Sequence, residues 1–258
     1  MTAPPRSDPW LVTRDRDLTA PVRLLCFPFA GGGASVFRSW RSPARHLFEL
    51  WPVQLPAREN RIREQPFTRL DPLLAALEEA LLPHLVQPFA FFGHSLGALI
   101  GFELARRMRD RHRAGPVHLF VSGRRAPHLI DTDEPVHGLP DAEFIRQVRK
   151  LNGTPESVLA NEELMNIALP LLRADFAVSE TYVHAPGAAL DCPISAFGGS
   201  NDVEVPQQDI DAWRLHTGAQ FRLRMFPGDH FFLHSHRDAL LSMIASDLGV
   251  DLAREQGA

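Results

Sequence analysis

Six short apolar runs punctuate the chain, at residues 22–27, 50–54, 89–92, 117–122, 194–198 and 220–226. Most are brief and continuous, as expected of parallel strands buried on both faces, whereas 220–226 alternates cleanly. Between them the apolar positions recur at helical spacing over 35–47, 72–82, 96–110, 206–217 and 238–248. In 96–110, Leu99, Ile100, Phe102, Leu104, Ala105 and Met108 supply an apolar face. Arg106, Arg107 and Arg109 gather towards its C-terminal end, where cations suit the helix dipole. Asp71-Pro72 reads as an N-cap followed by proline at the first helical position. Strands alternating with helices predict an α/β fold, a mostly parallel central sheet flanked by helices on both faces.

One interval breaks the rhythm. From 124 to 191 no convincing strand appears, and 139–148, 161–171 and 172–183 read as helical pieces. A crossover needs only one helix, and the interval is too long for a plain loop. It is therefore expected to be a helical insertion within a single domain spanning 1–258. Phe144, Leu151, Met165, Leu169, Leu172, Phe176 and Tyr182 give it more apolar surface than a solvent-exposed crossover requires. A lid that excludes water from a site is the functional reading, and an inert excursion is the alternative.

Composition narrows the classes. A chain of 258 residues with 45% hydrophobic content can bury one sizeable core. A net charge of −4 gives no electrostatic case for nucleic acid. The first ten residues lack an apolar leader core and no run reaches membrane-spanning length, so a cytoplasmic protein without a membrane partner is expected. Cys26 and Cys192 make neither a disulfide framework nor a metal site, and are expected to be buried reduced thiols.

The most informative stretch is Phe89-Ala-Phe-Phe-Gly-His-Ser-Leu-Gly-Ala-Leu-Ile. Gly-x-Ser-x-Gly between an apolar strand and an apolar helix is the nucleophile elbow of an α/β-hydrolase. So abrupt a turn strains the backbone of Ser95 and requires Gly93 and Gly97 to lack a Cβ that would bring them into collision. The elbow should point His94 away from Ser95, which makes it a packing or hydrogen-bonding residue. A hydroxyl nucleophile needs a base, and the base an orienting carboxylate, in the chain order Ser, Asp/Glu, His. Asp202 follows the strand at 194–198 after a glycine-rich turn, with Glu204 its rival in the same loop. His230 follows the strand at 220–226 through Pro-Gly-Asp, with His234 and His236 as competitors. No cysteine or paired-carboxylate spacing accompanies these histidines to suggest a metal site. The oxyanion hole is expected to combine the N–H of Leu96 with that of Ala30, Phe29 being the near miss, in Phe27-Pro-Phe-Ala-Gly-Gly-Gly. Neither a phosphate-binding loop nor a dinucleotide fingerprint fits that glycine run.

Taken in order, Phe-Pro-Phe-Ala-Gly-Gly at 27–32, Val53-Gln-Leu-Pro-Ala-Arg-Glu-Asn-Arg61, Gly93-His-Ser-Leu-Gly97, Val121-Ser-Gly-Arg-Arg-Ala-Pro127, Leu172-Arg-Ala-Asp-Phe176 and Gly228-Asp-His-Phe-Phe232 span nearly the whole chain. The set resembles the type II thioesterases of polyketide and nonribosomal peptide assembly lines. The resemblance implies an α/β-hydrolase core with a helical lid over 124–191. Ser95, Asp202 and His230 stand at the family's triad positions, and Ala30 and Leu96 at its oxyanion donors. The implied reaction is hydrolysis of stalled or aberrant acyl thioesters on the phosphopantetheine arm of acyl or peptidyl carrier proteins. No cofactor is implied, since the arm belongs to the substrate. Phe29, Phe144 and Phe176 are expected to contact the acyl group, and the enzyme is expected to be a monomer. The family commonly has His or Tyr where Phe29 stands, and Gly where Ala57 stands. A small-molecule carboxylesterase, an acyltransferase or cyclising enzyme, and a non-catalytic carrier-binding module are the alternatives. The arginines at 106, 107, 109, 111 and 113 offer an acidic carrier a dock, or else form a solvated helix end.

Overall fold

A computed structural model describes residues 8–12, 20–85, 88–130 and 133–250. The first seven residues, part of the stretch read above for a leader, lie outside them. Among the described residues the strands β1 (Arg23–Phe27), β2 (Glu49–Pro52), β3 (Phe89–His94), β4 (Leu119–Ser122), β5 (Ile194–Gly199) and β6 (Phe221–Phe226) form one sheet in the order β2-β1-β3-β4-β5-β6. Every pairing in it is parallel. The order reverses between β1 and β3, and crevices at such switch points, beyond the carboxyl ends of strands, are where ligands bind in open α/β sheets.

Strand periodicity sorts the core into two layers. Leu25, Phe27, Phe91, Leu119, Val121, Ile194 and Ala196 face one way. They pack against the helices α2 (Leu70–Leu81), α3 (Leu96–His112) and α7 (Gln207–Asp211). Leu24, Cys26, Ala90, Phe92, Phe120 and Phe197 face the other. That layer is covered by α1 (Arg41–Ala44), α8 (Phe232–Ser235), α9 (Arg237–Asp247) and the 3₁₀ segment Ala34–Trp40.

Two segments expected to be continuous α-helices are each part 3₁₀ and part α. In the 3₁₀ segment Ala34–Trp40 the buried residues are Ala34, Phe37 and Trp40, three apart, and only the four-residue α1, with Ala44 buried, follows. In 206–217 the buried residues are Ile210, Trp213 and His216, again every third one, with 3₁₀ structure over Ala212–His216. A 3₁₀ helix eclipses i and i+3, so burial at that interval favours it over the 3.6 period. The cap read at Asp71 is also corrected. Arg69 is the extended N-cap residue, and Asp71 lies in the first turn, where its carboxylate accepts from Arg107 at 2.7 Å.

Between β4 and β5 the chain forms α4 (Asp141–Lys150), α5 (Glu156–Leu159) and α6 (Glu162–Glu180). The two pieces read at 161–171 and 172–183 are one helix, opened by the Asn161 side chain accepting from Leu164 N–H at 3.0 Å. Pro170 lies inside it at an exposed position, where the carbonyl it leaves unpaired can meet water. The insertion has its own small core of Phe144, Val148, Leu159, Met165 and Leu172, separate from both sheet layers. Tyr182, grouped above with the insertion, packs instead against the sheet core.

No described helix is long and apolar enough to cross a membrane. Cys26 is fully buried and Cys192 only partly, and burial pushes the Cys192 thiol up to about 11.

Candidate active site

β3 runs straight into α3, and Ser95 is the hinge, at φ 53° and ψ −114°. A non-glycine residue held there costs about 1–3 kcal/mol, and its surroundings must impose it. They do so through the glycines. A Cβ on Gly93 would lie 2.0 Å from the Gly97 carbonyl oxygen, so that close approach is as expected. The constraint on Gly97 itself comes from elsewhere: its Cβ would lie 2.1 Å from the Phe27 carbonyl oxygen on β1. Ser95 N–H donates to the Ser122 carbonyl at 2.8 Å, tying the turn to β4. The hydroxyl therefore stands at the N-terminus of a 17-residue helix, the positive end of its dipole.

Ser95, Leu96, Ala30, Phe29 and His230 line one cavity of about 160 Å³. His230 arrives on the tight turn after β6, and its Nδ1 is 2.7 Å from Asp202 Oδ2. The other carboxylate oxygen of Asp202 accepts from the N–H groups of Glu204 and Val205, at 2.9 and 3.2 Å. Asp202 is thus fixed from both sides, and with Nδ1 committed to it, Nε2 is the ring nitrogen left for other chemistry. Glu204 also lines the cavity, but it is Asp202 that reaches the imidazole. His234 and His236 lie on the following turn and are not part of the cavity wall. Burial lowers the pKa of His234.

His94 is fully buried, with Nδ1 2.8 Å from Ser122 Oγ and its ring centroid 5.0 Å from that of His230. Burial, reinforced by His230 and His234, pushes its pKa well below the usual histidine range, so it stays neutral. It buttresses His230 without adding a second charge beside it.

The loop after β1 turns at residues 29–32. Gly32 N–H donates to the Phe29 carbonyl at 2.9 Å, and Gly31 has φ +79°, the geometry of a type II turn. Gly31 N–H is taken by Asp175 Oδ2 at 2.7 Å, while Phe29 and Ala30 line the cavity. Asp175 is also paired with Arg58. Neither residue was singled out from the sequence. Both lie in stretches quoted above, but no spacing pattern links positions 117 residues apart.

Val148, Leu151, Leu172, Phe176 and Ser179 of the insertion are part of the wall, beside Arg124, Arg125 and Asp133. Phe29 and Phe176, read above as acyl contacts, both line this cavity. Phe144 is not on the wall: it is buried in the insertion's own core, edge-on to Phe176 at 5.4 Å. The arginines at the end of α3 are largely committed within the protein. Arg106 pairs with Glu103, Arg107 with Glu78 and Asp71, and Arg111 with Glu78.

A second serine, histidine and aspartate also meet. Ser195 Oγ is 2.9 Å from His118 Nε2 and donates to Asp247 Oδ2 at 2.6 Å. Two features set this group apart from a nucleophilic centre. Ser195 is wholly buried in β5, outside the cavity, with 0% exposure. Its proton goes to the carboxylate, whereas a triad needs the carboxylate on the histidine and the serine proton facing the base. Asp247 further takes a bidentate pair from Arg224, so this is a polar tie between β5, β6, α9 and the residue just before β4.

The parallel sheet, the strained serine after β3 and the acid and base after β5 and β6 define an α/β-hydrolase. The Thioesterase domain family matches residues 22–248, and the chain belongs to it. Gramicidin S biosynthesis protein GrsT of Aneurinibacillus migulanus is 46% identical over 244 residues, covering 95% of each chain. Linear gramicidin dehydrogenase LgrE of Brevibacillus parabrevis is 46% identical over 242 residues, 93% of this chain and 92% of that one. The solved type II thioesterase BorB from the borrelidin biosynthetic cluster superposes with a TM-score of 0.86 at 40% identity, covering 94% of this chain and 99% of that one.

Proposed function

We propose that this thioesterase hydrolyses acyl thioesters on the phosphopantetheine arm of carrier proteins, clearing stalled or aberrant acyl groups during polyketide or nonribosomal peptide assembly. One observation carries the reading: a strained, cavity-facing Ser95 shares its cavity with a His230 whose Nδ1 is bonded to Asp202. In the reaction Ser95 Oγ attacks the thioester carbonyl as His230 Nε2 takes its proton. Asp202 holds the tautomer and stabilises the imidazolium. The amides of Ala30 and Leu96 receive the oxyanion. Collapse expels the pantetheine thiol with the proton from His230. A thiol of pKa about 8.5 leaves more readily than an alcohol. Water, deprotonated by His230, then frees the acid and regenerates Ser95. No metal or redox cofactor enters this reading.

The names of GrsT, a gramicidin S biosynthesis protein, and BorB, a type II thioesterase from the borrelidin biosynthetic cluster, support a place in a biosynthetic pathway of that kind. The name of LgrE suggests hydride transfer instead. Against that, the loop after β1 runs Gly31-Gly-Gly-Ala-Ser-Val36, where a dinucleotide turn needs a third, spaced glycine. The same reading has the enzyme working as a monomer in the cytoplasm, for which gel filtration and fractionation are the checks. The central experiment compares hydrolysis of acyl-carrier proteins, acyl-CoA and p-nitrophenyl esters, with fluorophosphonate labelling located by mass spectrometry. Label on Ser95 and fastest turnover of acyl-carrier substrates are expected. Preference for oxygen esters would make it a carboxylesterase, transfer to an added amine an acyltransferase, and carrier binding without label a non-catalytic module.

A further inference from the structure

The turn that carries Ala30 is held from outside by a buried ion pair. We propose that Asp175 and Arg58 are positioning residues that preset the Ala30 N–H as an oxyanion donor, and that the donor is in place only while α6 is seated on the turn. The inference rests on the reading of Ala30 given above.

The peptide joining Phe29 to Ala30 is planar and trans, so its C=O and N–H point in opposite directions. Its oxygen is turned into the loop by Gly32 N–H, at 2.9 Å, which aims the Ala30 N–H outward. The next peptide donates from Gly31 N–H to Asp175 Oδ2 at 2.7 Å. In the competing type I turn that peptide is flipped by about 180°, and its carbonyl oxygen would face the carboxylate instead. Both turn types keep the Phe29–Ala30 peptide as it is, so Asp175 acts by pinning the turn at Gly31 N–H, which fixes where the Ala30 N–H stands, with Gly31 at φ +79° as the permissive residue.

Arg58 locks the carboxylate in place. Its Nη1 and Nη2 donate to Asp175 Oδ2 and Oδ1 at 2.8 and 2.9 Å, and Nη1 also reaches the Gly32 carbonyl at 2.9 Å. Its Nε donates to the Pro56 carbonyl at 3.0 Å. Gln54 extends the brace, donating to the Arg58 carbonyl at 3.0 Å and accepting from Ala34 N–H at 2.7 Å. Asp175 and Arg58 are 3% and 4% exposed. A buried ion pair adds little stability over well-packed apolar residues, so stability alone does not account for one here. Orienting two peptide dipoles does.

Asp175 belongs to α6, which also walls the cavity. Leu172, one turn earlier, packs so closely on Gly31 that a Cβ there would lie 2.6 Å from Leu172 Cδ2. Shifting α6 would open the chamber and release the donor together, so an unseated insertion leaves a serine unable to stabilise the oxyanion.

The test compares wild type, Asp175→Asn and Arg58→Lys on a butyryl-pantetheine thioester and on two pantetheine thioether ketones. One is a trifluoromethyl ketone, which Ser95 converts to a hemiketal; the other is its plain methyl counterpart. Asp175→Asn should lower kcat about 10–100-fold, less than or comparable to losing an oxyanion donor outright. KM should stay within about threefold, trifluoromethyl ketone affinity should fall by the factor lost from kcat, and methyl ketone affinity should not change. Arg58→Lys, which keeps the charge, should retain part of both. A folded Asp175→Asn with wild-type kcat, or a kcat loss without matching loss of trifluoromethyl ketone affinity, overturns the proposal. If Asp175→Asn does not fold, the same comparison is read on Arg58→Lys and hydrogen exchange on the wild-type Gly31 amide. Strong protection there supports the clamp and rapid exchange overturns it. Failure of the underlying reading looks different: wild type would bind the two ketones alike.

Discussion

Ser95 shares a cavity with His230, which bonds Asp202, while Ser195 bonds His118 and Asp247; what separates the two serines is backbone strain and access to the cavity. Ser95 carries a positive φ and faces the cavity, while Ser195 lies in a strand and donates to Asp247. Ser95→Ala should lower kcat by at least about 10³-fold with an unchanged melting temperature, because alanine keeps the same backbone. Ser195→Ala should do the reverse, costing about 1–3 kcal/mol by orphaning buried polar partners while kcat stays near wild type. Activity and melting curves on the two variants decide it, and more than a tenth of activity left in folded Ser95→Ala would remove Ser95 from the mechanism. The acid follows the same logic. Asp202→Asn should cut kcat far more than Glu204→Gln, since only Asp202 contacts His230; the opposite order would move the assignment two residues along.

At the scale of elements, the insertion supplies part of the cavity wall that packing can reshape. Its cavity face includes Val148, Leu151, Leu172, Phe176 and Ser179, contributed by α4, α6 and the chain just after α4. Enlarging that face should shrink the acyl chamber. Val148→Phe is expected to reduce turnover of long acyl-carrier substrates relative to acetyl, with fluorophosphonate labelling of Ser95 unaffected. An unchanged length profile would mean that the insertion does not bound the acyl group. Phe144 tests the other face. Because it fills the insertion's own core, Phe144→Ala should cost about 3–5 kcal/mol there. Limited proteolysis should then cut within 141–180 at temperatures where the sheet still holds; cleavage spread over the chain would show that the insertion is not a separate cooperative unit.

Across the whole molecule, buried histidines make stability depend on pH. Burial holds both His118 and His216 at about 4 in the folded state, against about 6.5 in an unfolded chain. Below pH 6.5 the unfolded chain takes up those protons and the folded one does not, so stability is full above 6.5 and is lost as pH falls towards 4. Each histidine accounts for up to roughly 3 kcal/mol at the acid end of that window. Urea unfolding at pH 7 and pH 5 should therefore show a drop of a few kcal/mol. Equal stability at the two values would mean that these rings take up protons without unfolding.

The sequence alone determined what depends on neighbours along the chain. A strand is recognised by its own apolar run, the elbow by glycines within two residues of Ser95, and the sites of Asp202 and His230 by their place just beyond strands. These signals are local because strand burial and tight turns restrict side chains residue by residue. Tertiary structure decided what depends on residues far apart. The 3₁₀ geometry of 34–40 and 212–216 follows from which side chains the sheet layers accept. The place of Phe144 in a separate core follows from how α4 and α6 meet. The carboxylate that holds the turn at Gly31 comes from Asp175, and no pattern along the chain could join it to Arg58, since such a pair exists only once α6 has packed over Gly31.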